Sequence, residues 1–332
     1  MWILDRPSSF PLSAARAGRT VVASNVERTV VLLCGPTAAG KSALAMALSN
    51  VLHIQIVSAD ARTVFRGLDI GTAKPTVDDR RRVVHHCIDI RDPDQTYDAA
   101  QFMVDARAAI KAMPSDITPV MVGGSGLYIQ AALEGLSTTV PVDPRVRAAL
   151  QRRLAAEGRD ALYDELREVD PRAAERYADR NPVRVLRALE HYVATGTAFS
   201  TTWDVPRQAA PYRVVRIGVT RERGPLYEAI NARCVEMLEH GMIEETQRLL
   251  ATGISEHVQA LHTVGYVEVL AYLRGEINLA SALERMQQAT RNYAKRQLTW
   301  FRRDERISWV DGAQADALDQ LCDLLRAQSV PL

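Results

Sequence analysis

One octapeptide constrains this chain more than any other feature. Gly35-Pro36-Thr37-Ala38-Ala39-Gly40-Lys41-Ser42 satisfies G-x-x-x-x-G-K-[ST]. It follows an apolar run, Thr29 to Cys34, that reads as a buried strand, and precedes a helical stretch from Ser42 to about Leu52. The motif needs that context. Loop glycines let backbone N–H groups converge on phosphate oxygens, and the helix N-terminus behind them adds positive potential. Lys41 supplies a full charge and Ser42 can hold Mg2+. All eight residues are therefore candidate ligands of a diphosphate or a nucleotide.

The remaining pattern extends this unit into an α/β fold: a P-loop NTPase-like, mostly parallel sheet covered by helices, with an inserted all-helical lobe. A second strand, Ile54 to Ser58, ends at Asp60. A third, Pro119 to Val122, ends at Gly123-Gly124 before a helical segment, Leu127 to Leu133. From about Val140 to Ala210 the chain reads as helices rich in Ala, Arg and Glu, bounded near Pro141, Pro144, Pro171 and Pro182. Tyr212 to Val219 is strand-like again, so the lobe is an insertion, and the rest reads as helical to the end. His85-His86 precede a strand-like Cys87 to Ile90 and, without a third ligand at metal spacing, read as structural. Glu244 and Glu245 read as a solvated helix face. The expected division is a core of residues 29–139 and 211–332, a lobe of 140–210, and a disordered leader of 1–28. In the leader Pro7, Pro11, Asp5 and Glu27 interrupt any amphipathic helix. A length of 332 residues suits one core plus one lobe.

Composition excludes several classes. The four cysteines, Cys34, Cys87, Cys234 and Cys322, form no C-x-x-C pair, which argues against a disulfide framework or a zinc site and fits a cytoplasmic protein. No run approaches the ~18 to 20 apolar residues of a membrane span. Net charge is only +1, so any affinity for nucleic acid must come from a local patch. Such a patch exists between Arg285 and Arg303, which hold six basic residues and no acidic one, interleaved with Tyr293, Trp300 and Phe301. At ~100° per residue, Arg291, Lys295 and Arg302 share a face with Arg296 and Arg303 beside it, over an underside of Ala294, Trp300 and Phe301.

An ATPase would also show an apolar strand ending in an Asp that helps to hold Mg2+. The candidate strand ends instead in Gly123-Gly124, and the other strand-end acid is Asp60. It could serve as a metal-associated acid or as a general base if its strand neighbours that of the loop, or simply cap the following turn.

Together with the loop, Ser58-Ala59-Asp60 and Asp69-Ile70-Gly71-Thr72-Ala73-Lys74-Pro75 resemble the bacterial tRNA dimethylallyltransferase family. Later segments agree in order: Gly123 to Ile129, Asn181-Pro182-Val183-Arg184, Arg187 to Glu190, and Tyr293-Ala294-Lys295-Arg296-Gln297-Leu298-Thr299-Trp300-Phe301-Arg302. The resemblance runs from about residue 29 to 311. It implies that the loop binds dimethylallyl diphosphate, with Thr37 and Arg223, in preference to Arg221, near the leaving group and Mg2+ on Ser42. It implies that Asp60 accepts a proton from the N6 amine of the adenosine 3′ of the anticodon. It further implies that core and lobe of a monomer clasp the anticodon stem-loop of tRNA. The matching contact positions are Asp60, Ala61, Arg62 and Thr63; Ser125; Arg147; Asn181, Pro182, Val183, Arg184 and Val185; His262, Thr263, Val264, Gly265, Tyr266 and Val267; and Lys295 to Arg302.

Where the family commonly reads D-S-x-Q-V-Y, this chain has Asp60-Ala61-Arg62-Thr63-Val64-Phe65, and Val267 stands where a basic residue is usual. Three other readings stay open: a P-loop kinase of a small metabolite, an isopentenyltransferase acting on free adenine nucleotides, and a non-catalytic RNA-binding protein.

Overall fold

The computed structural model describes residues 28–137 and 143–332; most of the expected leader lies outside them. Six strands form one sheet in the order β3-β2-β4-β1-β5-β6: β1 (Arg28–Cys34), β2 (Ile54–Ala59), β3 (His85–His86), β4 (Thr118–Gly123), β5 (Tyr212–Thr220) and β6 (Ser308–Asp311). Every pairing is parallel. Strands of this kind are covered on both faces, which is why they read as continuous apolar runs. Val30, Val31, Leu33 and Cys34 of β1 are wholly buried, as are Val215, Ile217 and Val219 of β5.

The helices are α1 (Lys41–Leu48), α2 (Val77–Arg82), α3 (Ala99–Ala112), α4 (Gly126–Glu134), α5 (Pro144–Val169), α6 (Pro171–Arg176), α7 (Pro182–Thr195), α8 (Arg223–Glu239), α9 (Met242–Ala251), α10 (Tyr266–Leu273), α11 (Leu279–Phe301) and α12 (Ala317–Ala327). Proline opens α5, α6 and α7, where a missing N–H costs nothing, and Asp143, Asp170 and Asn181 cap them. These three helices enclose a core of their own, with Leu150, Leu162, Leu166, Val185 and Leu189 buried together and Phe199 and Trp203 against them. The sheet and the other helices share a separate, larger core. Among the described residues no helix is long and apolar enough to cross a membrane.

Three local expectations change. Arg28 belongs to the sheet and not to a leader, since its guanidinium donates to the carbonyls of Met113, Pro114 and Ile117 at 2.8, 2.6 and 3.0 Å. The strand near the histidines is His85–His86 itself; Cys87 and Asp89 have φ of 60° and 55°, left-handed values that end it. The C-terminal region is not all helical, because β6 returns to pair with β5. Its four residues were too short to register as a strand pattern.

Candidate active site

The Gly35–Ser42 loop leaves β1 where strand and loop pack closely. A Cβ at Gly35 would lie 2.1 Å from the Val219 carbonyl oxygen, and one at Gly312, just past β6, equally close to that of Ala39. Left-handed Ala38 (φ 62°) and Gly40 (φ 98°) curl the loop back on itself, with the Ala39 N–H donating to the Pro36 carbonyl at 3.4 Å. Lys41 opens α1, and its ammonium donates to the Pro36 carbonyl at 2.7 Å. Burial, then the neighbouring Arg233, push the Lys41 pKa down to about 8, against an opposing pull from Asp60. A bound polyanion would relieve that penalty.

Asp60 follows β2, and β4 lies between β2 and β1, so the strands of acid and loop are not neighbours. The two sites still communicate. Asp60 is felt electrostatically at both Lys41 and Arg233, because the intervening strand ends in Gly123-Gly124. No side chain fits there: a Cβ on Gly123 would sit 2.1 Å from the Ala59 carbonyl oxygen, and one on Gly124 2.0 Å from Gln297 Nε2. Asp60 Oδ1 accepts the Arg62 N–H at 2.8 Å, so the acid does also cap its turn. The same turn is pinned by Ser125, whose Oγ accepts the Ala61 N–H at 3.1 Å. Arg62 reaches the carbonyls of Gln259 and His262 at 2.6 and 3.2 Å.

One arginine that bonds the loop is Arg233, which donates to Thr37 Oγ1 at 3.2 Å. Arg223 lies with its guanidinium 5.3 Å from the centre of the Tyr227 ring. Arg221 passes within 3.7 Å of where a Gly40 Cβ would stand, with its buried Nε unpaired. Arg233 carried no motif signal, but it adjoins the buried stripe of Leu226, Ile230 and Cys234 on α8, an unusual place for a charge.

The expected RNA-contact segments divide sharply. Arg147 on α5 is half exposed and grips the buried carboxylate of Glu190 on α7 through two bonds of 2.7 and 3.1 Å. With Asp98, Gln101, Gln259 and His262 it lines a cleft of about 370 Å3 between lobe and core. Lys295, Arg296, Thr299 and Trp300 are exposed on α11, as is Arg302 just past its end, and Leu298 packs partly against the core. Trp300 is thus not on the underside; it covers Gly126, whose absent Cβ leaves room for the indole. Arg291 is tied to Asn231 at 2.6 Å and so is less open to a phosphate than its helical face suggested.

Most other members of those segments are engaged within the fold, and Val183 and Val267 are exposed. Asn181 caps α7 through Val183 and Arg184 N–H groups, Pro182 fills its first turn, Val183 is exposed and Val185 is buried in the lobe. Arg184 pairs with Asp179 at 3.4 Å. Thr63 is buried against Ser58 at 3.0 Å, and Phe65 is wholly buried, so a phenol there would meet core. Thr263 donates to the Ala260 carbonyl, Gly265 (φ 98°) begins α10 beside Val264, and Val267 is exposed. Phe301 and Gln297 are buried, and so is Tyr266, whose hydroxyl donates to Glu245 at 2.5 Å.

Glu245 corrects another expectation. It is 3% exposed, and its carboxylate accepts the N–H groups of Asp69, Ile70 and Gly71 at 2.9, 2.8 and 3.2 Å. The D-I-G-T-A-K-P segment is therefore a loop wrapped on an internal anion. Lys74 finishes it, almost fully buried, by donating to the Phe65 carbonyl, Asp69 and Asp89.

A sequence profile of the family described as IPP transferase matches residues 63–304. The chain belongs to the IPP transferase family. The tRNA dimethylallyltransferase of Thermomicrobium roseum is 41% identical over 299 residues, covering 90% of each chain. That of Geobacter sulfurreducens is 43% identical over 284 residues, covering 85% of this chain and 91% of its own. Among solved structures, the full-length tRNA isopentenylpyrophosphate transferase of Bacillus halodurans superposes with a TM-score of 0.66 at 35% identity, covering 91% of this chain and 98% of its own. As an IPP transferase family member the chain is a transferase, and its parallel sheet flanked by helices is the fold of its family.

The donor set also fits Mg2+. Among the described residues no three His, Cys, Asp or Glu side chains cluster as a metal cage. Mg2+ that arrives on substrate phosphates needs only one or two protein oxygens. Ser42, exposed in the first turn of α1, would hold it, with Asp60 across the site.

Proposed function

We propose that this transferase moves a dimethylallyl group from dimethylallyl diphosphate to the N6 amine of the adenosine 3′ of the anticodon in tRNA. The observation that carries the reading is a strand end stripped of side chains, Gly123-Gly124, set between the turn of Asp60 and the loop that holds Lys41 and is bonded by Arg233. Loop N–H groups, Lys41, Arg233 and Thr37 hold the diphosphate and stabilise the charge that grows on its departing oxygen. Mg2+, when bound, adds charge neutralisation on the same oxygens.

In the step itself an N6–carbon bond forms, the carbon–oxygen bond to diphosphate breaks, and the proton leaves N6 for Asp60. A stacked base cannot reach between these groups, so the adenine must flip out of its stack. The cleft at Arg147 and the exposed basic residues of α11 would hold the surrounding stem-loop by its phosphates. In this reading a monomer suffices, since lobe and core each supply one side of the cleft.

The test incubates the protein with Mg2+, isotopically labelled dimethylallyl diphosphate and unmodified tRNA, comparing wild type with Asp60→Ala. Label in adenosine that the substitution removes supports the reading. Label in free AMP but not in tRNA, or ATP turnover with a small acceptor, would replace it.

A further inference from the structure

Gln297 lies among Lys295, Arg296 and Thr299, which face outward on α11, yet only 6% of it is exposed and both ends of its amide are used inside the protein. Oε1 accepts the Thr37 N–H at 2.9 Å, and Nε2 donates to the Gly124 carbonyl at 3.0 Å. We propose that Gln297 is a positioning residue that clamps the phosphate-binding loop to the wall carrying the general base, and is not an RNA contact.

The two bonded partners belong to the two halves of the site. Thr37 is the loop residue that Arg233 also holds. Gly124 is followed by Ser125, whose N–H donates to the Ala59 carbonyl at 3.2 Å and whose Oγ pins Ala61 next to Asp60. One planar amide thus spans from the leaving-group loop to the turn of the acid. The glycine at 124 belongs to the same device, because a Cβ there would occupy the place of Nε2. Tyr293, one turn earlier on the same face of α11, hydrogen-bonds Ser125. The helix therefore sends these two polar side chains inward while Lys295 and Arg296 face out.

A glutamine offers one acceptor and one donor group at this reach. Glutamate keeps an acceptor for Thr37 but sets a second oxygen against the Gly124 carbonyl and adds negative charge beside the diphosphate. Methionine fills the volume and makes neither bond. Loop N–H groups that shift by a fraction of an ångström lose much of their hold on an anion, because hydrogen bonds weaken steeply with geometry.

The inference rests on the proposed donor site, and its test separates the two. Wild type, Gln297→Met and Gln297→Glu are compared in the full chain for three readouts: binding of inorganic diphosphate with Mg2+ by titration calorimetry, binding of unmodified tRNA by filter assay, and KM and kcat for each substrate. Both variants should bind diphosphate about tenfold or more weakly, Glu worse than Met, and raise the donor KM, while tRNA affinity changes by less than about twofold. Retained tRNA affinity in the same preparation certifies the fold. Weakened tRNA binding with normal diphosphate binding, or loss of both together, overturns the clamp. Diphosphate binding decides this without catalysis, so a wild type that transfers no label counts against the proposed function alone.

Discussion

Glu245→Gln is the sharpest test of why the D-I-G-T-A-K-P segment holds its shape. In the native protein one carboxylate accepts four bonds, from the N–H groups of Asp69, Ile70 and Gly71 and from the Tyr266 hydroxyl. A glutamine keeps its oxygen on Asp69 and Ile70 and turns its NH2 toward Tyr266, whose hydroxyl can rotate to accept. Gly71 N–H then faces another donor. Two bonds fall from charged to neutral strength, roughly 1 kcal/mol each, and one buried N–H is left unpaired at roughly 1 to 3 kcal/mol. Relief from burying a charge offsets part of this, leaving a loss of about 3 kcal/mol. That corresponds to about a hundredfold faster amide exchange at 69–71 by hydrogen-exchange mass spectrometry, and to a Tm lower by about 4 °C. Tyr266→Phe should cost less, and the double variant should be less than additive. Unchanged exchange at those three amides, with Tm within about 1 °C of wild type, would refute the view that the loop is built on this anion.

Arg233→Gln should lower kcat by about a hundredfold or more while tRNA affinity in a filter assay stays within about twofold. Glu190→Gln should raise the KM for tRNA several-fold and leave inorganic diphosphate binding unchanged, since Arg147 loses the carboxylate that holds it in the cleft. Lys74→Met should destabilise the chain by about 3 to 5 kcal/mol in urea unfolding, because two carboxylates lose their buried partner. Acid stability offers a companion measurement. Burial raises the Asp89 pKa, but Lys74 and Arg80 outweigh it and hold it below the usual value. Asp89 therefore stabilises the fold above about pH 4, and that contribution fades as pH falls further. Lys74→Met should accordingly flatten the acid limb of a stability profile.

The parts of the site that depend on local chain chemistry were legible in sequence. The phosphate-binding loop needs a strand, a glycine turn and a helix in immediate succession, and residues 29–48 spell these out. The four longer strands were visible because burial makes them mostly apolar, although β2 carries Gln55 and β5 carries Arg213 and Arg216. What escaped depends on residues far apart. Arg233 meets Thr37, and Gln297 meets Gly124, only after the sheet and α11 have packed. Glu245 looks like a surface acid until the loop at Asp69 folds over it. Strand order was equally hidden: nothing between Asp60 and Pro119 announces that β4 will insert between β2 and β1. Several residues matched to RNA contact by motif, such as Tyr266, Val185 and Phe301, are core residues. A motif records which positions are constrained, whether by packing or by ligand.

The glycine end of β4 also sets a length. Neighbouring strands stand ~4.8 Å apart, so the acid after β2 and the loop after β1 are separated by roughly 10 Å, two spacings across. An in-line transfer needs a departing oxygen, a carbon, an attacking nitrogen and a proton acceptor in a row, a span of roughly 7 to 8 Å at near-attack contact distances. Adjacent strands would be too close to admit that row, and three spacings too far to compress it. In the proposed reaction the sheet acts as a gauge, with the missing side chains of β4 as its open slot.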